Sequence, residues 1–325
     1  MFSITNIPNC LSTKIMTKII YGANGQDGQI LKKIDPMENF IEISANKVGN
    51  LIVSNDETLR RDTIESIFVN KQIDEIFFLS SINSSAIVTN DYDELLMLQK
   101  NVKLVFDDFL FVIEMVRKFA PKAKIFFASS ALIFGLPLNK TQDESQAYKP
   151  VEFYSLFKII CHDIINYYRE NKNIFITCGI LYPHESEFRK PNYLFRKIID
   201  HSELVRRKPG SSPLLISDLQ FTREWNCAYQ IMKCVVEILK HENPVDLVIG
   251  SGVQHSIEDL CKLAYAYFNL DFKQFVLEQK TELIKRSPNL AAQPTKLMEI
   301  IGYKPDGDLK ALVKRTYSNL GVMLN

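Results

Sequence analysis

Two groups of residues have types and spacings that chemistry could use. Tyr154 and Lys158 stand four apart at the start of an apolar-periodic segment, and Ser130 closes an apolar run upstream. On a helix, positions i and i+4 share a face, so the phenol and the ammonium point together. An ammonium beside a phenol lowers the phenol's pKa toward neutrality. The phenolate can then take a proton from a hydroxyl while a hydride leaves the same carbon. Ser130 would hydrogen-bond that oxygen. With 13 tyrosines a chance Tyr-x-x-x-Lys is expected about once. The placement after a strand therefore carries the reading, against the alternative of a packed tyrosine and a surface lysine.

The second group is Gly22-Ala-Asn-Gly25-Gln26-Asp27-Gly28, which uses three of only 12 glycines. It lies between the apolar run Lys18–Tyr21 and a helical segment. In such a loop the first glycine makes a tight turn, the second lets the backbone approach a pyrophosphate, and the third lets helix and strand pack closely. The helix N-terminus then faces the phosphates. The alternative is a plain glycine-rich turn. An acidic residue at the end of the next strand would hold the ribose hydroxyls of NAD. Here that strand leaves through Ser44-Ala45-Asn46-Lys47. Asn46 and Lys47 could take a 2′-phosphate, which favours NADP and leaves NAD open.

The positioning elements follow from periodicity. Strands are expected at 18–21, 40–44, 51–53, 75–79, 124–128 and 174–180. Helices are expected at 29–34, 57–69, 93–119 and 152–170. Strands alternating with helices give an α/β fold with a doubly wound, Rossmann-like parallel sheet. Residues 18–180 form the dinucleotide-binding half. Residues 181–325 form a smaller, mainly substrate-binding C-terminal lobe, except that a strand at 246–249 returns to the main sheet. Helices are expected in that lobe near 193–203, 225–241, 256–268, 295–301 and 308–317. Residues 1–17 read as a leader without the apolar core of a secretory signal.

Composition narrows the classes. Lys+Arg total 39 and Asp+Glu 38, so no basic footprint points to nucleic acid. Apolar residues make up 46% and charged residues 24%, as in globular chains, and no apolar stretch reaches membrane length. Six cysteines lack C-x-x-C spacing, and five histidines lack H-x-x-x-H spacing. A zinc site is therefore not expected, and free thiols in a reducing cytoplasm are.

Together, the glycine loop, Ser129-Ser130 and Tyr154-x-x-x-Lys158 resemble the extended short-chain dehydrogenase/reductases. The nearest branch is the GDP-mannose 4,6-dehydratases. The resemblance runs from about residue 18 to 317 and adds Asp74-Glu-Ile, Asn166-Tyr-Tyr-Arg-Glu170, Gly179-Ile-Leu-Tyr-Pro-His-Glu-Ser186, Asn192-Tyr-Leu-Phe-Arg-Lys197, Arg223-Glu-Trp225, His255-Ser256, Pro294-Thr-Lys296 and Gly302-Tyr-Lys-Pro305. It implies Tyr154 as the base, Lys158 as its partner and Ser130 in place of the family's catalytic threonine. It implies Gly22, Gly25, Gln26, Asp27, Gly28, Asn46, Lys47, Leu79, Tyr154, Lys158 and His184 as contacts of NADP or NAD. Asn192, Lys197, Arg223 and Arg286 fall where the family contacts a nucleotide diphosphate, so a nucleotide sugar, a GDP-hexose, is the implied substrate.

Three departures bear on function. The family's catalytic glutamate, which takes the proton from sugar C5, is Leu132, and leucine accepts no proton. Glu144 and Glu185 are the candidate substitutes. Pro183 replaces an asparagine. The segment that builds the family's tetramer is cut to Val48-Gly-Asn50, so a homodimer through the helices 93–119 and 152–170 is expected instead. The resulting expectation is C4 oxidation of a nucleotide sugar. The alternatives are a C4 reductase, dehydrogenase or epimerase that does not remove water, and a cofactor-binding scaffold without turnover.

Overall fold

The structure, a computed structural model, describes residues 16–36, 38–44, 46–52, 56–82, 91–136, 139–279 and 289–322. Strand β1 (Thr17–Tyr21) is buried along its whole length, as a strand covered on both faces must be. It runs through the glycine loop into α1 (Gln26–Ile34) and β2 (Asn39–Ser44). Thr17, read as the end of a leader, belongs to β1, and residues 1–15 lie outside the described residues.

The chain next makes a short hairpin, β3 (Lys47–Val48) and β4 (Leu51–Ile52), turning at Gly49, whose φ is +56°. This corrects the third parallel strand expected at 51–53. A Gly-Asn pair between two short runs makes a two-residue turn, and both strands pair antiparallel at the sheet edge. Val53 lies outside the described residues.

Helix α2 (Glu57–Asn70) follows, its first turn capped by the Asp56 carboxylate, which accepts from the Leu59 amide. Then come β5 (Glu75–Phe78), α3 (Asp91–Asn101), α4 (Asp107–Phe119), β6 (Lys124–Ser130), α5 (Phe153–Lys172) and β7 (Ile176–Leu181). The single helix expected over 93–119 is interrupted by a π-helical turn at Val102–Phe106. That wider turn re-phases the helix. Asn101 thereby places its amide on the Ile82 backbone, at 2.8 and 3.0 Å, while Phe109, Val112 and Val116 still face the core.

The C-terminal part contains β8 (His184–Glu185), α6 (Leu194–Arg207), β9 (Leu214–Ile216), β10 (Thr222–Glu224), β11 (Asn226–Cys227), α7 (Ala228–Ile238), β12 (Asp246–Ile249), β13 (Gln254–Ser256), α8 (Ile257–Ala266), β14 (Val276–Glu278), α9 (Thr295–Ile301) and α10 (Leu309–Asn319). The eight-stranded sheet has the order β12-β7-β6-β5-β1-β2-β3-β4, and its first six strands are parallel. Alternation along each strand divides the core. Tyr21, Phe78 and Phe127 pack with α2, α4 and α5, while Ile20, Phe77 and Phe126 pack with α1, α7 and α9. A separate core of α6, α8 and α10 holds Phe195, Leu260 and Tyr317. Tyr265 and Phe268 are buried in it. Among the described residues no helix is long and apolar enough to cross a membrane, and no His/Cys/Asp/Glu cluster could hold a metal.

Candidate active site

Parallel strands put their carboxyl ends on one edge, where open α/β sheets bind ligands. Ser130 ends β6, and Tyr154 and Lys158 open α5, which packs against β6 and β7. The Lys158 ammonium is buried and donates to the Ala128 carbonyl at 2.7 Å. It lies 4.7 Å from the centre of the Phe127 ring and 5.7 Å from that of Tyr154. The Ser130 hydroxyl accepts from the Leu132 amide at 3.2 Å and caps the short 3-10 turn Ala131–Phe134.

The expected depression of the Tyr154 phenol is not found. Burial pushes its pKa up to about 12, the Glu152 and Asp27 charges add to that, and hydrogen bonds to Ser81 and Ser130 oppose it. Lys158 is not among the groups that lower it: its ammonium, brought down to about 8 by burial, donates to the Ala128 carbonyl and not to the phenol. In the protein alone the phenol keeps its proton. Ser81 was missed by sequence reasoning. Its signal was position, since it follows the carboxyl end of β5.

The glycine loop packs closely against its neighbours. Gly22 has φ +85°, and a Cβ there would lie 2.9 Å from the Ser80 amide nitrogen and near the Leu79 carbonyl carbon. A Cβ on Gly28 would lie 2.7 Å from Ala23 Cα. Gly25 precedes α1 without a side-chain cap, and among the described residues no side chain claims the first N–H groups of the helix. Leu79 donates its amide to the Tyr21 carbonyl at 3.0 Å, which holds the β5 end beside the loop. At the far end of β2, Asn46 is exposed and accepts from the Ser44 hydroxyl, and Lys47 opens β3 with no ion pair among the described residues.

His184 uses both ring nitrogens within the protein. Nδ1 meets the Tyr182 carbonyl at 2.7 Å, and Nε2 meets the Asp27 carboxylate at 3.0 and 3.2 Å. The segment after it is densely charged. Glu185 is buried and accepts from Arg189 Nε at 2.6 Å, and the Arg189 guanidinium lies 4.8 Å from the Tyr193 ring centre. Arg223 lies 5.0 Å from the Trp225 ring centre, and its buried Nε has no hydrogen-bond partner among the described residues. Burial lowers the Arg223 pKa while Glu185 supports its charge. A guanidinium so placed has donors to give to an anion. Asn192 is half-buried just before Tyr193, whereas Lys197 is exposed on α6. Arg286 lies outside the described residues.

Leu132 is partly buried and packs against the small core that holds Phe134, Tyr182 and Val248. Neither candidate substitute carboxylate is at liberty: Glu144 accepts from the Val248 amide on β12 at 2.7 Å, and Glu185 holds Arg189.

A parallel sheet with a glycine loop at β1 and a Ser–Tyr–Lys site at β6 and α5 defines an extended short-chain dehydrogenase/reductase. Solved structures agree on that fold. UDP-glucose 4-epimerase from Brucella ovis in complex with NAD superposes with TM-score 0.78 at 12% identity, covering 95% of this chain and 100% of that one. RMD from Pseudomonas aeruginosa complexed with NADPH gives TM-score 0.76 at 12% identity, covering 94% and 99%. The family profile of GDP-mannose 4,6 dehydratase matches residues 32–316, and the chain belongs to that family. GDP-mannose 4,6 dehydratase 2 of Arabidopsis thaliana is 30% identical over 193 residues, 59% of this chain and 51% of the relative. The human GDP-mannose 4,6 dehydratase is 27% identical over 160 residues, 49% of this chain and 42% of the relative. The aligned part thus spans about half the length of the curated relatives.

Proposed function

We propose that the chain transfers a hydride between NADP and C4 of a nucleotide-linked hexose, a GDP-hexose by family, with Tyr154 exchanging the proton of the C4 oxygen. The convergence of Ser130, Tyr154 and Lys158 beside the glycine loop carries this reading. Gly22, Gly25 and Gly28 would hold the dinucleotide's diphosphate, with Gln26, Asp27, Leu79 and His184 around it. The nicotinamide supplies a hydride acceptor or donor when bound. Lys158 fixes the α5 turn to the β6 end, Ser130 and Ser81 orient the phenol, and Arg223 with Asn192 would meet the nucleotide diphosphate.

A second reading, in which the reaction stops at C4 without loss of water, has specific support. Leu132 cannot take a C5 proton, and Glu144 and Glu185 are committed elsewhere. A phenol that keeps its proton is also suited to protonating a C4 oxygen that receives hydride. Incubation with GDP-mannose and NADP in deuterated water separates the two readings. Loss of water with deuterium at C5 supports a dehydratase, and reduced cofactor with no loss of water supports a C4 oxidoreductase.

The NADP preference rests on Lys47 and on the lack of an acidic residue at Ser44 and Asn46. Lys47→Ala is expected to weaken NADPH binding about tenfold, from loss of one charge-assisted hydrogen bond, and to leave NADH binding unchanged. Equal effects on both cofactors in a fluorescence titration would count against it.

The proposed homodimer would form on the helical segment 93–119 and on α5; α3 and α5 pack side by side, and the exposed apolar residues there are Leu95 on α3, Val102 at the π turn, and Leu156, Ile160 and Tyr167 on α5. Ile160→Glu is expected to shift sedimentation from dimer to monomer. A monomeric parent protein would contradict the interface. The reading also keeps the cytoplasm as the site of action, consistent with five buried free cysteines among the described residues.

A further inference from the structure

Asp27 places a carboxylate in the first turn of α1, where the positive helix end would receive a dinucleotide's diphosphate. Two anions would then compete for one helix end. The surroundings of Asp27 answer that conflict. His184 Nε2 meets both Asp27 carboxylate oxygens, and Nδ1 meets the Tyr182 carbonyl. Both partners are pure acceptors, so both ring nitrogens must donate, and the ring that satisfies them is the imidazolium. With both N–H groups spent inside the protein, His184 has none left for a ligand.

We propose that His184 is a positioning residue that acts on the cofactor through Asp27, cancelling the carboxylate's charge at the mouth of the glycine loop so that a dinucleotide diphosphate can bind there. This rests on the dinucleotide reading above. The same contact locks the loop to the lobe. Gln26 Nε2 donates to the His184 carbonyl at 3.1 Å, and the Ser186 hydroxyl donates to Gln26 Oε1 at 2.9 Å. Arg189 also donates to the His184 carbonyl, but its charge is matched by Glu185, so the direct partner of Asp27 is His184.

Of the other charged and titratable groups, Arg189 and the Tyr154 phenol on α5 act on the pair, while Glu185 and Arg223 face Arg189. Burial opposes the imidazolium, yet Asp27 outweighs it and holds the His184 pKa above the ordinary value. Burial likewise opposes the Asp27 charge, and His184 and Arg189 outweigh it in turn, lowering that pKa. The sign of the pH dependence follows. Compensation is complete below the ordinary imidazole range, about 6.5, and is lost as pH rises through the raised value.

The test is NADPH fluorescence titration of the full chain across pH, for the parent, His184→Gln, Asp27→Asn and the double variant. His184→Gln is expected to weaken NADPH roughly tenfold, from one uncancelled charge at short range. The double variant is expected to return to within about twofold of the parent, since removing the carboxylate removes the need for its partner. Parent affinity should fall as the medium turns alkaline, and that of Asp27→Asn should not. Wild-type affinity in His184→Gln, or a double variant as weak as His184→Gln, would overturn the proposal. If His184→Gln fails to fold, the parent and Asp27→Asn pH profiles decide, and two parallel profiles would overturn it. Absence of saturable NADPH binding by the parent would overturn the dinucleotide reading itself, and this proposal with it.

Discussion

Tyr154→Phe is expected to lower hydride transfer roughly a thousandfold, the scale of a lost general acid–base group. NADPH binding should stay within about twofold of the parent, because the ring keeps its packing and only the oxygen is removed. The phenol is the one group at the β6 and α5 ends suited to exchange the proton. The hydroxyls of Ser130 and Ser81 serve it as hydrogen-bond partners. Lys158 directs its proton to the Ala128 carbonyl at 2.7 Å. Steady-state turnover with a nucleotide sugar, alongside NADPH titration, checks the claim. Turnover within tenfold of the parent would remove Tyr154 from the chemistry.

The largest effect on stability is expected from Glu224→Ala. Glu224 is fully buried, and its carboxylate gathers donors from three chain segments. Oε2 accepts from Asn226 Nδ2 at 2.9 Å and from the Ser251 amide at 2.9 Å. Oε1 accepts from the Gly252 amide at 3.2 Å and the Ala292 amide at 2.5 Å. Alanine would leave the buried Ala292 amide and the half-buried Gly252 amide without partners, each costing about 1–3 kcal/mol, and would leave the Ser251 amide only Asn226 Oδ1 at 3.1 Å. The expected loss is about 3–5 kcal/mol, allowing for water entering the space. Urea unfolding measures it, with Glu224→Gln losing less because one acceptor oxygen survives. A loss below about 1 kcal/mol would show that the segments hold without the carboxylate. Arg223 and Trp225 flank Glu224, so the same loss would loosen the proposed diphosphate contact.

Much of the framework is legible in the amino-acid sequence. β1, α1 and the glycine loop follow from an apolar run ending at Gly22 and from the three spaced glycines. The start of α5 follows from helical periodicity, and the return of β12 to the sheet from a short apolar run at 246–249. What residue patterns do not carry is context. The β3–β4 hairpin stands in place of a parallel strand because Gly49-Asn50 can turn the chain within two residues, a local choice that an apolar run does not announce. The π turn at 102–106 lies inside an unbroken helical pattern. A low pKa is expected for the Tyr154 phenol because Lys158 stands four residues on, but burial decides it, and burial is set by the whole fold. The Asp27–His184 pair joins residues far apart in the chain, which no motif spacing reveals. Glu224 is visible only as part of Arg223-Glu-Trp225, and its role as a buried acceptor hub emerges from the segments it joins.

The most direct measurement of the central claim is isotopic. GDP-mannose carrying deuterium at C4 is incubated with the protein and NADP, and sugar and cofactor are weighed by mass spectrometry. Hydride exchange at C4 predicts that deuterium leaves C4 and appears on the nicotinamide or elsewhere on the sugar, and that Tyr154→Phe stops this. Full retention of deuterium at C4 with the C4 configuration unchanged and the cofactor bound, for GDP-mannose and for the other GDP-hexoses tried in the same way, would contradict it.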